Sequence, residues 1–458
     1  MRVVILGAGK VGSNIAEYLS RESNDITVID NDAESIERLT YDLDINGVVG
    51  HASSPDVLSK AGLNGADMLI AVTYSDETNM VACQIAHSLF NVPKKVARIR
   101  NQSYLNQAWI NLFSRDHLPI DLVISPEAEV AKSIYQKILV TGASEVIPMH
   151  KKKLYLIGVF CDEKCPILNT PLAQLRTLFP DVHARIISIM RNGKSFIPTG
   201  SAQLQVNDEV YFVAEAKNVQ RAMTHFGYET TNNPKTVIVG GGNVGYELCR
   251  LLEEDGRSSS VTIIERNSER AEFLSNNLGD MLVLNGDGLA PETLKEAGIA
   301  NADTFIAVSN DDETNALSSL EAKQFGCKRA MALVTRSNYS NLLLSINIDA
   351  IISPQDVTVS KIMRHVRRGR IKEAYNLRNG FAEFIEAQAT ENCRIVNTPI
   401  SEIKISKGIH VSAIIRGDEI IFPRGDDIVR PNDYVIIFAL AGHAAEVEKL
   451  FCVDVDLF

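Results

Sequence analysis

Short apolar runs alternate with longer mixed segments through the first 126 residues of the chain. Uninterrupted apolar runs such as residues 3–6 and 68–72 are typical of strands buried on both faces of a parallel sheet, and the segments between them have helical spacing. The alternation predicts a doubly wound parallel sheet with helices on both faces. The predicted strands are residues 3–6, 26–29, 47–49, 68–72, 96–99 and 122–124.

The pattern changes after Pro126. Residues 127–140 have helical spacing, and strand-like runs follow at 153–160, 184–190 and 209–214. Asn192-Gly193 is a two-residue hairpin signal, because both central positions of a type I′ turn need a positive φ. We therefore predict a helical crossover followed by a small α+β lobe.

The second half of the chain repeats the first. Asp-Glu-Thr-Asn occurs at 76–79 and 312–315, Ile-Ser-Pro at 124–126 and 352–354, and Asn-Thr-Pro at 169–171 and 397–399. Similarity that keeps its order along the chain indicates a duplicated unit. The predicted fold class is α/β, with two tandem doubly wound sheets that are each followed by a small α+β C-terminal lobe. The predicted domains are 1–126, 141–226, 234–354 and 376–458, with a second crossover that ends at about Tyr375.

Each half carries a glycine-rich loop directly after its first strand. The loops read Gly7-Ala8-Gly9-Lys10-Val11-Gly12 and Gly240-Gly241-Gly242-Asn243-Val244-Gly245. In the GxGxxG fingerprint of Rossmann domains, the three glycines permit the turn, the approach of phosphates and close packing of helix on strand. The phosphates bind at the helix N-terminus. Two strand-flanked copies predict two adenine-nucleotide sites; the alternative is a Rossmann-type domain that has lost its ligand.

A second apolar run follows each loop and ends in an acid, Asp30 in the first half and Glu265 in the second. A carboxylate at this strand end accepts hydrogen bonds from ribose hydroxyls, and it repels a 2′-phosphate. We therefore expect NAD(H) rather than NADP(H). Arg266 weakens that exclusion in the second half, whereas Asn31 places no cation beside Asp30.

Composition narrows the classes of partner. The formal net charge of −11 argues against nucleic acid and anionic lipid as direct partners. No apolar run approaches the ~20 residues that span a bilayer, and the chain starts in a strand without a signal-peptide pattern. We expect a cytoplasmic protein without direct membrane insertion. No metal is predicted, because Cys161 and Cys165 form the only close pair among seven cysteines and no matching His/Cys pair stands near them.

The doubled motifs resemble the Trk potassium uptake regulators of the TrkA family, in which two regulator-of-potassium-conductance (RCK) units are fused. The similarity covers essentially the whole chain and rests on the doubled glycine loop, the doubled Asp-Glu-Thr-Asn and Ile-Ser-Pro runs and the doubled small lobe. The resemblance implies a nucleotide-sensing regulatory subunit that is not an enzyme and binds NAD(H) and ATP or ADP. It also implies a homo-oligomeric, tetrameric ring at the cytoplasmic face of the membrane that gates a potassium-translocating Trk subunit.

The resemblance further implies a cation near the end of the fifth strand that meets the nucleotide phosphates. Arg98 and Arg100 occupy this place in the first half, whereas Leu333 and Thr335 occupy it in the second. An ordinary surface ion pair is the alternative role for Arg98. Because the pockets differ in charge, we predict that they prefer different nucleotides; the sequence does not assign a nucleotide to either site.

In a doubly wound sheet the ligand lies where the strand order reverses, between the first and fourth strands. The third and fourth strand ends therefore supply further candidate contacts: His51, Ala52, Thr73, Asp76, Asp287, Ser309 and Asp312. Asp76 and Asp312 are expected at helix N-termini, where they either cap the helix or contact the ligand. His51 either contacts the adenine edge or is simply exposed.

Two features of the sequence allow more than one interpretation. Residues 361–372 hold a local excess of cations, which forms either a solvated helix face or a docking site for an acidic partner. These cations are Lys361, Arg364, Arg367, Arg368, Arg370 and Lys372.

The alternative function, an NAD-dependent oxidoreductase, needs an acid or base beside the nicotinamide. The small lobes contain no obvious His–acid or Lys–Tyr arrangement, and a ligand-free scaffold leaves the glycines unexplained, so we favour the regulator.

Overall fold

The structure of the protein, a computed structural model, describes residues 1–20, 24–179, 183–229, 234–336, 348–366, 371–377 and 380–451. By its internal contacts the chain divides into two compact units. Unit 1 contains residues 1–129 and 354–367, and unit 2 contains residues 130–353 and 368–458.

The first parallel sheet has six strands and lies in unit 1. They are β1 (Arg2–Leu6), β2 (Asp25–Asp30), β3 (Asn46–Val49), β4 (Met68–Ala71), β5 (Lys94–Arg98) and β6 (Leu122–Ile124). The order β3-β2-β1-β4-β5-β6 reverses between β1 and β4. The helices are α1 (Lys10–Ser20), α2 (Ala33–Asp42), α3 (Pro55–Lys60) and α4 (Asp76–Ser88), with 3-10 turns at Gln102–Leu105 and Gln107–Phe113.

A first small lobe follows the helix α5 (Pro126–Leu139). Its strands are β7 (Ala143–Met149), β8 (Leu154–Phe160), β9 (Ala184–Arg191), β10 (Lys194–Phe196) and β11 (Glu209–Glu215), in the order β10-β9-β11-β8-β7. Its helices are α6 (Leu172–Leu178) and α7 (Val219–His225). Asn192 and Gly193 have φ values of 51° and 74°, so the hairpin predicted between β9 and β10 is confirmed.

The second half repeats this architecture. Its parallel sheet, in the order β14-β13-β12-β15-β16-β17, contains β12 (Thr236–Val239), β13 (Val261–Glu265), β14 (Leu282–Asn285), β15 (Thr304–Ala307), β16 (Arg329–Leu333) and β17 (Ala350–Ile352). The helices are α8 (Asn243–Glu254), α9 (Ser268–Asn277), α10 (Pro291–Glu296) and α11 (Asp312–Gln324). The reversal again lies between the first and fourth strands of the sheet, β12 and β15.

The second small lobe follows the helix α12 (Pro354–Val366). Its sheet has the order β18-β19-β22-β20-β21, with β18 (Ile371–Leu377), β19 (Ala382–Gln388), β20 (Ile409–Arg416), β21 (Glu419–Ile421) and β22 (Tyr434–Leu440), and the helix α13 (Ala444–Phe451) closes it. The predicted fold class, two doubly wound parallel sheets each with a small α+β lobe, is confirmed.

Two parts of the sequence prediction need correction. The strand β7 was not predicted: it contains Pro148, which a strand tolerates at a sheet edge because the proline has no N–H to donate. The second crossover was predicted to reach about Tyr375, but α12 ends at Val366 and Tyr375 lies in β18. The predicted start of the fourth domain at residue 376 therefore falls inside a strand.

The α12 helix belongs to the core of the first parallel sheet, although it follows the second one in the chain. Val359 and Ile362 are buried in the same cluster as Ile15 and Leu19 of α1. Most of α5, in turn, belongs to unit 2, where Arg329 of β16 donates hydrogen bonds to the carbonyls of Lys137 and Ala143. Each crossover helix thus contacts the parallel sheet of the other half of the chain.

The two small lobes share one internal anchor. In the first lobe Arg191 donates to both carboxylate oxygens of Asp208 at 2.7 Å, and in the second Arg416 donates to Asp433 at 3.1 and 2.8 Å. Both aspartates are buried. The identical bonding makes these positions equivalent, so the two lobes can be compared residue by residue.

The apolar faces of the two small sheets pack against each other within unit 2. Leu156 and Tyr211 of the first lobe lie in one buried cluster with Phe384 and Phe438 of the second. Within the described residues, no helix has both the length and the apolar character that crossing a bilayer requires.

Candidate functional site

The first glycine loop joins β1 to α1. Gly7 has a φ of 105° and donates its N–H to the carbonyl of Ile29 at 2.8 Å. A Cβ on Gly12 would lie 1.8 Å from the carbonyl oxygen of Gly7, so the loop closes only with glycine there. A Cβ on Gly9, by contrast, would meet no atom of the described residues within 4 Å. The fold explains the first and third glycines but not the second.

The second loop, between β12 and α8, has the same geometry. Gly240 has a φ of 106°, and a Cβ on Gly245 would lie 2.0 Å from the carbonyl oxygen of Gly240. Gly242 has a φ of −62°, and its Cβ would again lie in open space among the described residues. Of the other motif residues, Lys10 and Asn243 are exposed at the first turns of α1 and α8, and Val11 and Val244 follow them.

The two predicted ribose acids hold the glycine loops through the backbone. Asp30 accepts from the N–H groups of Ala8 at 2.6 Å and Asp32 at 2.9 Å. Glu265 accepts from those of Gly241 and Asn267, both at 2.7 Å. Each carboxylate oxygen has more than one lone pair, so these bonds leave acceptor capacity for a ribose hydroxyl.

Asp76 and Asp312 do not cap their helices, so the capping role considered for them is wrong. The caps are the residues before them: Ser75 accepts from the N–H of Thr78, and Asp311 from that of Thr314. The N-cap lies one residue before the position predicted for it, and the repeated motif gives no sign of which of the two residues caps the helix.

The carboxylates of Asp76 and Asp312 are buried and accept from the chain just beyond the fifth strand of each sheet. Asp76 accepts from the N–H of Arg100 at 2.9 Å and that of Asn101 at 2.8 Å. Asp312 accepts from the N–H groups of Thr335 and Arg336 at 2.9 and 3.0 Å. The two acids position the loops that border the crevice.

Sequence reasoning missed the role of the last residue of the repeated Asp-Glu-Thr-Asn run. Asn79 is fully buried; it accepts from the N–H of Thr73 at 3.0 Å and donates to the carbonyl of Arg98 at 2.9 Å. Asn315 bonds Ser309 and Leu333 in the same way. The side-chain amide joins the two strand ends that border the crevice, and the repetition of Asn in both halves was the available signal.

Arg98 lies at the crevice, and its guanidinium has an N–H group without a hydrogen-bond partner among the described residues. Its guanidinium donates to the carbonyl of Thr73 at 2.9 Å, while its Nε is buried and has no hydrogen-bond partner among the described residues. Burial lowers the pKa of Arg98, and the nearby Arg100 adds to the shift. Arg100 itself pairs with Glu127 at 3.1 Å and lies over the ring of Tyr74.

The second crevice lacks these cations. The hydrogen bonds of Asn315 and Asp312 place Leu333 opposite Arg98 and Thr335 opposite Arg100, as the sequence alignment of the halves predicts. Leu333 is buried. Arg336, the remaining cation of this loop, pairs with Glu313 at 3.0 Å.

A cation that sequence reasoning missed lies at the other end of the second crevice. Arg270 of α9 donates to the carbonyl of Gly241 at 2.7 Å, and its guanidinium lies 4.5 Å from the centre of the Phe273 ring. The predicted neighbour Arg266 is exposed. Ser35 takes the place of Arg270 in the first half, since it follows Asp30 at the same spacing as Arg270 follows Glu265. No sequence motif indicates that an arginine in α9 donates to a backbone carbonyl of the glycine loop.

The ends of the third strands contribute less defined candidates. His51 is exposed, with its Nδ1 3.0 Å from the hydroxyl of Ser53, and Ala52 is buried. Asp287 is exposed and accepts from the N–H of Leu289 at 2.9 Å. The structure therefore brings together the glycine loops, Asp30 and Glu265, and the fourth- and fifth-strand loops, and the residues before His51 and Asp287, Gly50 and Gly286, donate to the carbonyls of Asp30 and Glu265.

The remaining sequence candidates are the cations of residues 361–372 and the close cysteine pair. Lys361 of α12 pairs with Glu129 at 3.4 Å and Lys372 is exposed. Arg367, Arg368 and Arg370, with the side chain of Arg364, lie outside the described residues. Cys161 and Cys165 are buried; their mutual hydrogen bond raises the pKa of Cys161 and lowers that of Cys165.

Models of two protein families match the chain twice each. The TrkA-N domain matches residues 3–126 and 236–354, which contain the two parallel sheets. The TrkA-C domain matches residues 157–227 and 384–451 in the two small lobes.

Full-length relatives match over the whole chain. The Trk system potassium uptake protein TrkA of Azorhizobium caulinodans is 46% identical over 458 residues, with 100% of both chains covered. The protein of the same name from Vibrio alginolyticus is 40% identical over 455 residues, with 98% of each chain covered.

Solved structures share the fold at low identity. The crystal structure of the GsuK RCK domain aligns with a TM-score of 0.62 and 16% identity over 98% of this chain and 94% of that one. A structure described as the GsuK channel bound to NAD aligns with a TM-score of 0.61 and 16% identity over 98% of this chain and 78% of that one.

Proposed function

Since the chain belongs to the TrkA family of Trk system potassium uptake proteins, we propose that it binds NAD(H) and ATP or ADP in its two crevices and regulates a potassium-translocating membrane partner. Membership of a potassium uptake family confirms the prediction that the chain is not an enzyme, and the oxidoreductase alternative falls away.

The openness around Gly9 and Gly242 carries the nucleotide proposal. Glycine costs conformational entropy on folding, and here neither a positive φ nor a close contact within the described residues requires it. Both residues precede a helix, with carbonyls that accept its first hydrogen bonds. The space that a side chain would occupy faces the helix N-terminus, where phosphates bind. A channel with this fold is described as bound to NAD, so NADH is the first ligand to test.

We propose the same roles for the flanking residues as the sequence predicted. Asp30 and Glu265 accept from ribose hydroxyls while they hold the glycine loops, and Arg98 turns its unpaired Nε toward a phosphate. Support for Arg98 comes from its buried donor, because an unmade hydrogen bond of a buried polar group is costly and a ligand oxygen would relieve it.

The charge difference between the crevices supports different ligand preferences. The first has Arg98 and Arg100 at the end of β5, where terminal phosphates lie; the second has Leu333 and Thr335 there and Arg270 beside the glycine loop. Attraction to each added phosphate charge is stronger beside a partly buried cation than in water. We therefore assign the more highly phosphorylated nucleotide to the first site.

The regulatory step is proposed at the level of the family. Four chains would form a ring at the cytoplasmic face of the membrane, held there by the membrane partner, and a nucleotide would shift the ring between states only by its differential affinity for them. The cations of residues 361–372 are the proposed contact with an acidic partner surface.

The test is potassium flux through the reconstituted membrane partner, with and without this protein, in NADH, ATP and ADP. We expect flux to depend on the protein and to differ between ATP and ADP. A double variant, Gly9→Asp with Gly242→Asp, is the matched control and should remove the nucleotide dependence. Flux that ignores both the protein and the nucleotide would refute the proposal.

A further inference from the structure

The first small lobe contains a cavity of about 380 Å³ that no part of the nucleotide proposal uses. It lies beneath α6 and α7 and is open to the surface. Apolar and aromatic side chains, with Leu175, Phe179, Phe212 and Phe226 among them, share its walls almost equally with polar groups. The volume lies at the lower end of the range for small-molecule sites, so the cavity suits a small ligand.

The titratable side chains among the described lining residues of this cavity are basic. His225, His183 and Arg185 line it, and the described lining residues include no Asp or Glu. The Nε2 of His225 is buried and has no hydrogen-bond partner among the described residues, while its ring stacks on Phe179 with centroids 3.8 Å apart. Arg185 donates to the carbonyl of Pro423 from the second small lobe. His183 pairs with Glu215, whose carboxylate lies 3.3 Å from its Nδ1, so an anion in the cavity would meet the basic side chains of His225 and Arg185.

The second small lobe provides an internal comparison for His225. The Arg191–Asp208 and Arg416–Asp433 pairs align the lobes, and the same register runs through their last helices, α7 and α13. In that register Leu450 stands where the first lobe has His225. Leu450 is buried in the apolar core of its lobe.

The same comparison holds at a second wall position. Val447 is fully buried in α13 where α7 has the smaller Ala222, which lines the cavity. At these two positions the first lobe has smaller side chains than its copy, and one of them, His225, carries an unpaired buried nitrogen. The copy has the larger apolar residues Val447 and Leu450 there. An unpaired buried imidazole nitrogen costs folding free energy, and packing alone would favour the residues of the copy.

The loops before the third strand of each lobe differ in the same region. Between Asn169 and β9 the first lobe forms the helix α6, whereas between Asn397 and β20 the second lobe has a 3-10 turn at Ile400–Glu402. The α6 helix supplies Leu172 and Leu175 to the cavity wall. The cavity is thus built by residues in which the two lobes have diverged.

We propose that this cavity binds a small organic anion with an apolar or aromatic body, such as an aromatic carboxylate, whose charged group accepts a hydrogen bond from Nε2 of His225. The site lies outside both glycine-loop crevices, so the proposal goes beyond nucleotide regulation and does not depend on it. Ligand contact with Arg185 would also reach the junction of the two small lobes, because Phe422 of the second lobe lines the same cavity.

The experiment titrates the full-length protein with 4-fluorobenzoate and follows ¹⁹F NMR line broadening. From the ligand efficiency of small ligands we expect a Kd on the order of 0.1–1 mM. The cation of similar shape, 4-fluorobenzylamine, should bind at least about tenfold more weakly, because the wall offers donors to an anion.

Two variants that introduce the residues of the second lobe locate the ligand. His225→Leu should weaken 4-fluorobenzoate at least about tenfold, because a hydrogen bond to a charged group is lost, and should raise the melting temperature of the free protein. Ala222→Val should weaken binding by reducing the volume while leaving His225 in place. Thr224→Ala, an exposed neighbour in α7, is the control and should bind like the wild type.

The result separates the alternatives. Absence of saturable broadening, equal binding of the amine, or unchanged affinity in both His225→Leu and Ala222→Val would each overturn the proposal. Because the variants carry residues found in the copy of the lobe, we expect them to fold, and the melting temperature verifies this for each.

Discussion

Gly9→Asp tests whether the second glycine of the first loop serves a ligand or the fold. The carbonyl of Gly9 accepts the first hydrogen bond of α1, from the N–H of Ser13 at 2.9 Å, so Gly9 is the N-cap. Aspartate is at least as good an N-cap as glycine, the difference being a few tenths of a kcal/mol. Since a Cβ there meets no described atom within 4 Å, we expect the free energy of unfolding to change by less than ~1 kcal/mol.

Nucleotide binding at the first site should fall steeply in the same variant. A carboxylate placed about 4 Å from a phosphate charge is disfavoured by ~4 kcal/mol at an effective dielectric constant of 20. This corresponds to roughly a thousandfold increase in Kd. Isothermal titration calorimetry with NADH, ATP and ADP should therefore show one site in place of two, and Gly242→Asp should remove the other.

Gly12→Ala is the contrasting variant. Its Cβ would lie 1.8 Å from the carbonyl oxygen of Gly7, and overpacking of this kind costs ~1–3 kcal/mol or more. Denaturant unfolding should separate the two substitutions. If Gly9→Asp unfolds as easily as Gly12→Ala, or if it binds nucleotide like the wild type, the inference from open space to ligand is refuted.

Three further results are expected. Asp30→Ala should weaken ATP at the first site ~10–100-fold and remove any preference over 2′-deoxy-ATP; a retained preference would mean that the acid does not read the ribose. Arg98→Leu, which installs the residue of the second half, should weaken ATP more than ADP in calorimetry, with the exposed Arg115→Leu as control; equal losses would contradict the phosphate role. Burial lowers the pKa of His410 to about 4, with Arg185 contributing, so stability should be full above about pH 6.5 and fall toward pH 4 by up to ~2–3 kcal/mol. His410→Gln should lack this loss in pH-dependent denaturant unfolding, and equal acid sensitivity of the two proteins would show that other groups cause it.

Local patterns in the sequence were sufficient for the architecture and for the geometry of each glycine loop. The apolar run before Gly7, the glycine spacing and the acid at Asp30 act through neighbours on one strand, turn and helix, so their geometry follows from local chemistry. Because the chain is duplicated, each of these predictions is supported by two copies of the same pattern. The difference between Arg98 and Leu333 was also readable, because equivalent residues of a repeat occupy equivalent places.

Contacts between residues distant in the chain were decided only by the tertiary structure. Asp76 holds the loop at Arg100 instead of capping α4, because burial beside β5 gives its carboxylate two backbone donors. Arg270 reaches the glycine loop across a turn, and α12 packs in the core of unit 1 although it follows the second sheet in the chain. The cavity at His225 arises in the same way, since its walls come from α6, α7 and the second lobe. Propensity and periodicity report which face of an element is buried, whereas the partner of a buried polar group depends on which distant segments the fold brings beside it.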